Sequence, residues 1–262
     1  MIRIEGVTKR YGRFTAVHPL DLHVRRGELF GFLGPNGAGK TTTIRMVAGV
    51  LRPSAGRILV GGHDIVTQPL EAKRVIGYIP DRPFLYDKLT GSEFLRFASG
   101  LWGQGGPDAE ARADRLLELF DLKPWKDTLV ESYSHGMRQK LLISSALVHG
   151  PDLIIVDEPM VGLDPKGARI IKDLLRAFVA DGGTVFLSTH TLEIAEALCD
   201  RIAILHGGRI RAMGTMEELR QEAAAGRAGL EEIFLKLTGG GDVAELVSAL
   251  RAAPGARAGA TE

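Results

Sequence analysis

The sequence predicts an α/β fold in which a mixed, mainly parallel core sheet carries crossover helices and a helical lobe is inserted into the core. Three observations predict it. Leu153-Ile154-Ile155-Val156 is a continuous apolar run, the mark of a strand buried on both faces, and Thr184 to Leu187 repeats it. Helical patterns at Gly167 to Val179 and Leu192 to Leu198 alternate with these runs, which favours a parallel sheet over an all-β barrel. A glycine-rich run, Gly34 to Thr41, lies between the strand-like Leu29 to Leu33 and a helical pattern that starts at Lys40.

From the start of the chain, Ile2 and Ile4 alternate before a turn at Gly6, and Val17, Leu20, Leu22 and Val24 mark a second strand region. Lys40 to Val50 reads as the helix leaving the glycine-rich run. The turn Pro53-Ser54-Ala55-Gly56 leads to a strand at Ile58 to Val60, and Val75 to Ile79 is a short central strand stopped by Pro80. The pattern then becomes helical, with Ser92 to Phe97, Ala109 to Phe120 and Gly136 to Leu147 separated by a mobile-looking Gly103 to Pro107. This is the expected inserted lobe, over approximately 84–150. Gly207-Gly208 suggests a hairpin, and Met216 to Ala223 and Leu230 to Leu237 suggest short helices. The main domain is therefore expected over 1–215, a short helical extension over 216–252 and a flexible tail over 253–262.

A chain of 262 residues can bury a large α/β core. Its 33 basic and 32 acidic side chains nearly cancel, so charge balance gives no general case for binding nucleic acid. The single Cys199 excludes an internal disulfide and a cysteine metal cluster, and its setting reads as a buried helical position. Cytoplasmic residence follows most simply. No apolar stretch is long enough to cross a bilayer, and Met1-Ile2-Arg3-Ile4-Glu5 lacks the apolar segment of a signal peptide. Work at a membrane would need another chain for the crossing.

The run Gly34-Pro35-Asn36-Gly37-Ala38-Gly39-Lys40-Thr41, continued by Thr42, has the glycine spacing, lysine and hydroxyl of a nucleoside-triphosphate loop. Backbone N–H groups in such a loop converge on phosphate oxygens at the positive end of the following helix. Lys40 reaches the outer phosphates and the Thr41 hydroxyl can ligate Mg2+, so ATP or GTP is the first ligand to consider. Taken alone, the run also reads as a turn before a helix. Asp157 and Glu158 follow the buried run at the carboxyl edge, where open α/β sheets place ligands. Asp157 can hold Mg2+ through a coordinated water, and Glu158 can orient or activate an attacking water; capping or surface roles are the plain alternative. His190 ends Phe186 to His190, either as a structural histidine or as a group that contacts a terminal phosphate and helps position water. Ser134 and Gly136 can cap a helix, or offer a hydroxyl and an N–H that a second protomer would turn into a phosphate clamp across an interface.

Together these residues resemble the ATP-binding cassette of ABC transporters, over roughly Ile2 to Thr215. Gly34 to Thr41 matches Walker A, Leu153 to Glu158 matches Walker B with its following glutamate, and Tyr133-Ser134-His135-Gly136-Met137 occupies the signature position. Gly162-Leu163-Asp164 resembles the D-loop, His190 the switch histidine, and Tyr11 the aromatic that stacks on adenine. The signature departs from the usual Leu-Ser-Gly-Gly-Gln but keeps the serine and second glycine. Asp81 stands where the family has the Q-loop glutamine; it either assists Mg2+ or water, or caps the Pro80 to Pro83 turn. The resemblance implies a P-loop cassette with an antiparallel β subdomain beside the core sheet and the inserted helical lobe.

The resemblance further implies Mg-dependent ATP hydrolysis between two cassettes, identical or related, facing head to tail. ATP would lie between Walker A of one and the signature of the other. Closure would pass through the Asp81 to Leu89 region and the helical lobe to a separate transmembrane permease, with the cassette peripheral at the inner face of the cell membrane. Tyr133 to Lys140, Gly77 to Asp81 and Leu230 to Thr238 are similar to ATPase subunits of the ABC-2 group, many of which serve export. The competing accounts are a soluble ABC ATPase of translation or DNA maintenance and a noncatalytic nucleotide-controlled module. Neither the second cassette nor the coiled-coil insertion common in the former is apparent, and Glu158 and His190 argue against the latter.

Overall fold

The computed structural model describes residues 1–82, 84–160, 163–223 and 229–238. The expected tail at 253–262 and Gly162 of the D-loop lie outside the described residues. A first sheet of four antiparallel strands, in the order β2-β1-β4-β5, is built from β1 (Ile2–Tyr11), β2 (Phe14–Val24), β4 (Ala55–Val60) and β5 (His63–Asp64). Glycine at position 6 does not turn the chain: β1 runs through it, with the register against β2 shifting between Ile4 and Val7. The second sheet has the order β10-β9-β3-β8-β7-β6, from β3 (Leu29–Leu33), β6 (Ile76–Ile79), β7 (Leu153–Asp157), β8 (Thr184–Thr189), β9 (Arg201–His206) and β10 (Arg209–Gly214). Its pairings are parallel except for the β9–β10 hairpin at one edge, the mixed sheet expected.

Alternation along the strands divides the core. Phe30, Phe32, Ile155 and Phe186 pack with Ile2, Ile4 and Leu22 of the first sheet and with Ile44 and Val47 of α1 (Lys40–Val47), so α1 lies among residues of both sheets. Phe186 stacks on Phe30 with centroids 5.9 Å apart and tilts against Phe32 at 5.3 Å. The alternate residues Leu29, Ile154, Val156, Val185 and Leu187 face the helical side. There they meet the lobe, α3 (Gly91–Leu101), α4 (Pro107–Leu119) and α5 (His135–Leu147), together with α6 (Pro165–Ala180). Each large apolar side chain taken from water contributes roughly 1.5–3 kcal/mol, and the sheet's two faces collect them from every layer.

The helices begin where short polar side chains satisfy free N–H groups. Thr90 and Glu93 form a capping box at α3, and Asp164 Oδ1 accepts from Gly167 N at 3.0 Å at α6. A short helix, α2 (Pro69–Arg74), precedes β6. Helix α7 (Leu192–Leu198) stops one residue before Cys199, which takes an extended backbone, so Cys199 follows a helix rather than sitting within one. The expected extension is represented by α8 (Met216–Glu222) and α9 (Leu230–Thr238); Leu219, Leu230 and Ile233 are buried against Leu33, Ala195, Ile202 and Ile204.

Candidate functional site

The site forms where β3, β7 and β8 end together, because their parallel register places Leu33, Asp157 and Thr189 at one edge. After β3 the chain curls tightly. A Cβ at Gly34 would run into the Leu205 carbonyl, and Gly39 has φ +103°, which favours glycine. Ala38 N donates to Pro35 O at 3.1 Å, closing the loop, and α1 starts at Lys40 with its N–H groups toward the same space. The Lys40 ammonium is buried and held by the carbonyls of Gly34 at 2.6 Å and Pro35 at 3.2 Å. Burial lowers its pKa, while Glu158 and Asp157 act in the opposite sense.

Asp157 is a carboxyl group taken out of water. It is buried at the end of β7, and neither carboxylate oxygen has a hydrogen-bond partner among the described residues; the same is true of the neighbouring Ser188 hydroxyl. Burial raises its pKa above the usual carboxylate range. The hydroxyls of Ser188 and Thr41 pull it back down from positions short of a well-formed hydrogen bond, and the charges of Asp81 and Glu158 push it up again. Hard oxygen donors beside a phosphate loop suit Mg2+, which takes one or two carboxylates and completes its shell with phosphate and water. Among the described residues no three acidic, histidine or cysteine groups converge as a metal site by themselves, so an ion here would share its shell in that way.

Glu158 has φ +53°, unusual for a side chain with a Cβ, and its amide donates to Ser188 O at 3.0 Å. The bend aims its carboxylate across to the end of β8. Oε1 accepts from His190 N at 2.9 Å and lies 2.7 Å from His190 Nδ1, and Oε2 accepts from Thr189 Oγ1 at 3.2 Å. A carboxylate only accepts, so Nδ1 carries the proton in this pair, and Nε2 has no hydrogen-bond partner among the described residues.

The other residues read from sequence fall into two groups. Tyr11, Asn36, Gly37, Gly39, Lys40, Thr41 and Thr42 line one groove of about 280 Å3, together with Phe14 and Ala16, which the sequence reading missed. Both missed residues lie on β2 just past the turn after Tyr11; an apolar Phe14 at a strand end was the available signal. Ser134 and Gly136 do not join that groove. They sit at the start of α5 in the lobe, where Ser134 Oγ accepts from Met137 N at 3.3 Å as a helix cap. Tyr133 is buried and its hydroxyl donates to Trp125 O at 2.7 Å, so the residue that departs from the usual signature leucine fastens the lobe. Asp81 is exposed, and its charge reaches Asp157.

Residues 17–161 match the sequence model of the ABC transporter family. The chain is 42% identical over 248 residues to the daunorubicin resistance ATP-binding protein DrrA3 of Streptomyces coeruleorubidus, covering 91% of this chain and 78% of the relative. It is 39% identical over 219 residues to the linearmycin resistance ATP-binding protein LnrL of Bacillus subtilis, covering 84% and 70%. A solved ATP-binding subunit of an ABC transporter superposes with a TM-score of 0.86 at 34% identity, over 90% of this chain and 99% of that one. The glycine-rich loop, the buried Asp157 and the Glu158–His190 pair thus stand in a chain that belongs to the ABC transporter family, as an ATP-binding and ATP-hydrolysing subunit.

Proposed function

We propose that this chain powers export through a separate transmembrane permease, with hydrolysis carried by the residues at the shared edge of β3, β7 and β8. The observation that carries the reading is the meeting of Lys40, Asp157, Glu158 and His190 there. Lys40 exchanges its loop carbonyls for the outer phosphates, and the N–H groups of the loop from Asn36 to Thr41 neutralise their charge, supported by Thr42. Thr41 and Asp157 would hold Mg2+, with Asp81 adding charge at its edge; when bound, the ion supplies Lewis-acid neutralisation of phosphate charge. Glu158 orients and deprotonates the attacking water, and His190, fixed by its Nδ1 contact, donates from Nε2 to the terminal phosphate when that nitrogen carries a proton as well. Tyr11 stacks on the base.

The capped start of α5 stands outside the Lys40 groove, which supports a second cassette, of this chain or a relative, offering its Ser134 and Gly136 to the phosphates head to tail. A second groove of about 390 Å3 between the core and the lobe supports the permease contact. Phe84, 89% exposed, lines it with Tyr86, Phe97 and Leu101, also exposed. Among the described residues no helix is long and apolar enough to cross a membrane, so the crossing is assigned to the partner, with this chain at the membrane's inner face. Relatives named for drug resistance favour an exporter.

Glu158→Gln tests the chemistry: ATP binding persists while hydrolysis falls by about 10²-fold or more, the effect of losing a general base. Hydrolysis at the wild-type rate removes the assignment. Affinity capture of the same variant from gently solubilised membranes, with and without ATP, recovers a specific multi-span protein; recovery of ribosomal or DNA-associated partners alone overturns the export reading.

A further inference from the structure

We infer that Phe14 is a second aromatic wall of the base subsite, so that the purine ring of the nucleotide lies against Tyr11 and Phe14 together. This rests on the reading that Tyr11 contacts the base. Tyr11 and Phe14 are register partners that close the β1–β2 hairpin across the two-residue turn Gly12-Arg13, with Gly12 at φ +56°. Residues directly opposite on an antiparallel pair project to the same face, so the hairpin fixes the two rings side by side. Both are exposed, Tyr11 at 50% and Phe14 at 65%, whereas Phe30, Phe32, Phe120 and Phe186 are fully buried.

A single exposed aromatic needs no explanation. Here the two share one groove with Lys40, Thr41 and Thr42, so a ligand with its phosphates on the loop has its far end at the aromatic pair. Among the described residues the two rings make no stacking contact with each other, and Lys9 Nζ lies over one face of Tyr11, 5.2 Å from its centroid. Lys9 is held there by a bond of 2.9 Å to Arg52 O. With one face of Tyr11 covered by a cation, Phe14 supplies the additional apolar area that a flat base needs. A purine, with two fused rings, spans both side chains; a pyrimidine reaches one. Phe14 is therefore a specificity-determining residue that favours purine over pyrimidine nucleoside triphosphates.

The test is equilibrium binding of ATP, CTP and inorganic tripolyphosphate to the full chain and to Phe14→Ala, Phe14→Tyr and Tyr11→Ala. Loss of one aromatic–base contact weakens ATP binding by about 5- to 150-fold. Phe14→Ala is expected to weaken ATP within that range, to weaken CTP less, and to leave tripolyphosphate, which has no base, unchanged; Phe14→Tyr restores ATP binding. If Phe14→Ala binds ATP like the unmodified chain while Tyr11→Ala does not, the second wall is overturned and the base position stands. If both alanine variants bind ATP normally, the base position falls and the second wall with it. An equal loss of tripolyphosphate binding in Phe14→Ala places the effect on the loop or the fold and also overturns the inference.

Discussion

Asp157 is held as a buried carboxyl group without hydrogen-bond partners among the described residues, an arrangement that stability alone would not retain. Its pKa is raised by burial, so the folded state binds more protons than the unfolded chain above the ordinary value of 3.8. Stability in the absence of nucleotide and metal therefore falls as pH rises through that window, and the penalty is complete once Asp157 is ionised. Asp157→Asn is expected to raise the thermal midpoint of the nucleotide-free protein at pH 7 and to lower Mg-dependent hydrolysis by roughly 10²-fold, about 2.7 kcal/mol of charge stabilisation. Calorimetry beside an ATPase assay checks both; a lowered midpoint would remove the claim that this charge is costly. Asp157 and Glu158 were legible because two carboxylates ended an apolar strand. The Glu158–His190 contact was not, since it depends on the φ of +53° at Glu158 and on the pairing of β7 with β8, 31 residues apart at Asp157 and Ser188.

At the scale of elements, the junction of α5 with the core sheet depends on His149, two residues past the helix end. Its Nε2 donates to Ile76 O on β6 at 3.1 Å, its ring stacks on Trp102 after α3 with centroids 4.7 Å apart, and its carbonyl accepts from Gln104 Nε2 at 2.8 Å. Nδ1 is buried without a partner among the described residues. Burial lowers the pKa below the usual 6.5, and the Arg112 charge lowers it further against the favourable Ile76 contact. The unfolded chain then binds the extra proton first, so stability is lost as pH falls from about 6.5 through the folded value. His149→Gln keeps a donor for Ile76 O but does not titrate; it is expected to cost about 1–3 kcal/mol at pH 7.5 and to flatten the loss toward pH 5.5 in urea melts. An unchanged slope would assign the pH dependence elsewhere. Elements with strong apolar periodicity were legible in the sequence, whereas α2 and the two-residue β5 were not, being short and polar. Helix α1 ends before the expected Val50 because Gly49 takes φ +66°, while the N–H groups of Val50 and Leu51 turn back to Arg45 O.

Across the whole molecule, the groove proposed to take the nucleotide joins the two sheets, since Tyr11 and Phe14 belong to the first and the loop from Gly34 follows β3 of the second. A ligand bound there stabilises both layers at once, by RT ln(1 + [L]/Kd). With Glu158→Gln to prevent turnover, Mg2+ present and ATP at about 100 times its Kd, the gain is about 2.7 kcal/mol. For a chain of this length each kcal/mol shifts the midpoint by about 2–4 °C, so the expected rise is about 5–10 °C. Lys40→Ala shows no such rise, and chelation of Mg2+ reduces it. The size of the rise also reads out the second cassette. If Ser134 and Gly136 of another copy complete the phosphate site, binding is linked to association, and the ATP-dependent rise grows with protein concentration while the midpoint without ATP does not. Ser134→Ala separates this from simple capping: loss of the cap costs about 1 kcal/mol with or without ATP, whereas loss of a cross-interface contact removes the concentration dependence. A rise that is the same at every protein concentration would mean that one copy holds the nucleotide unaided, and that the exposed start of α5 serves the lobe alone.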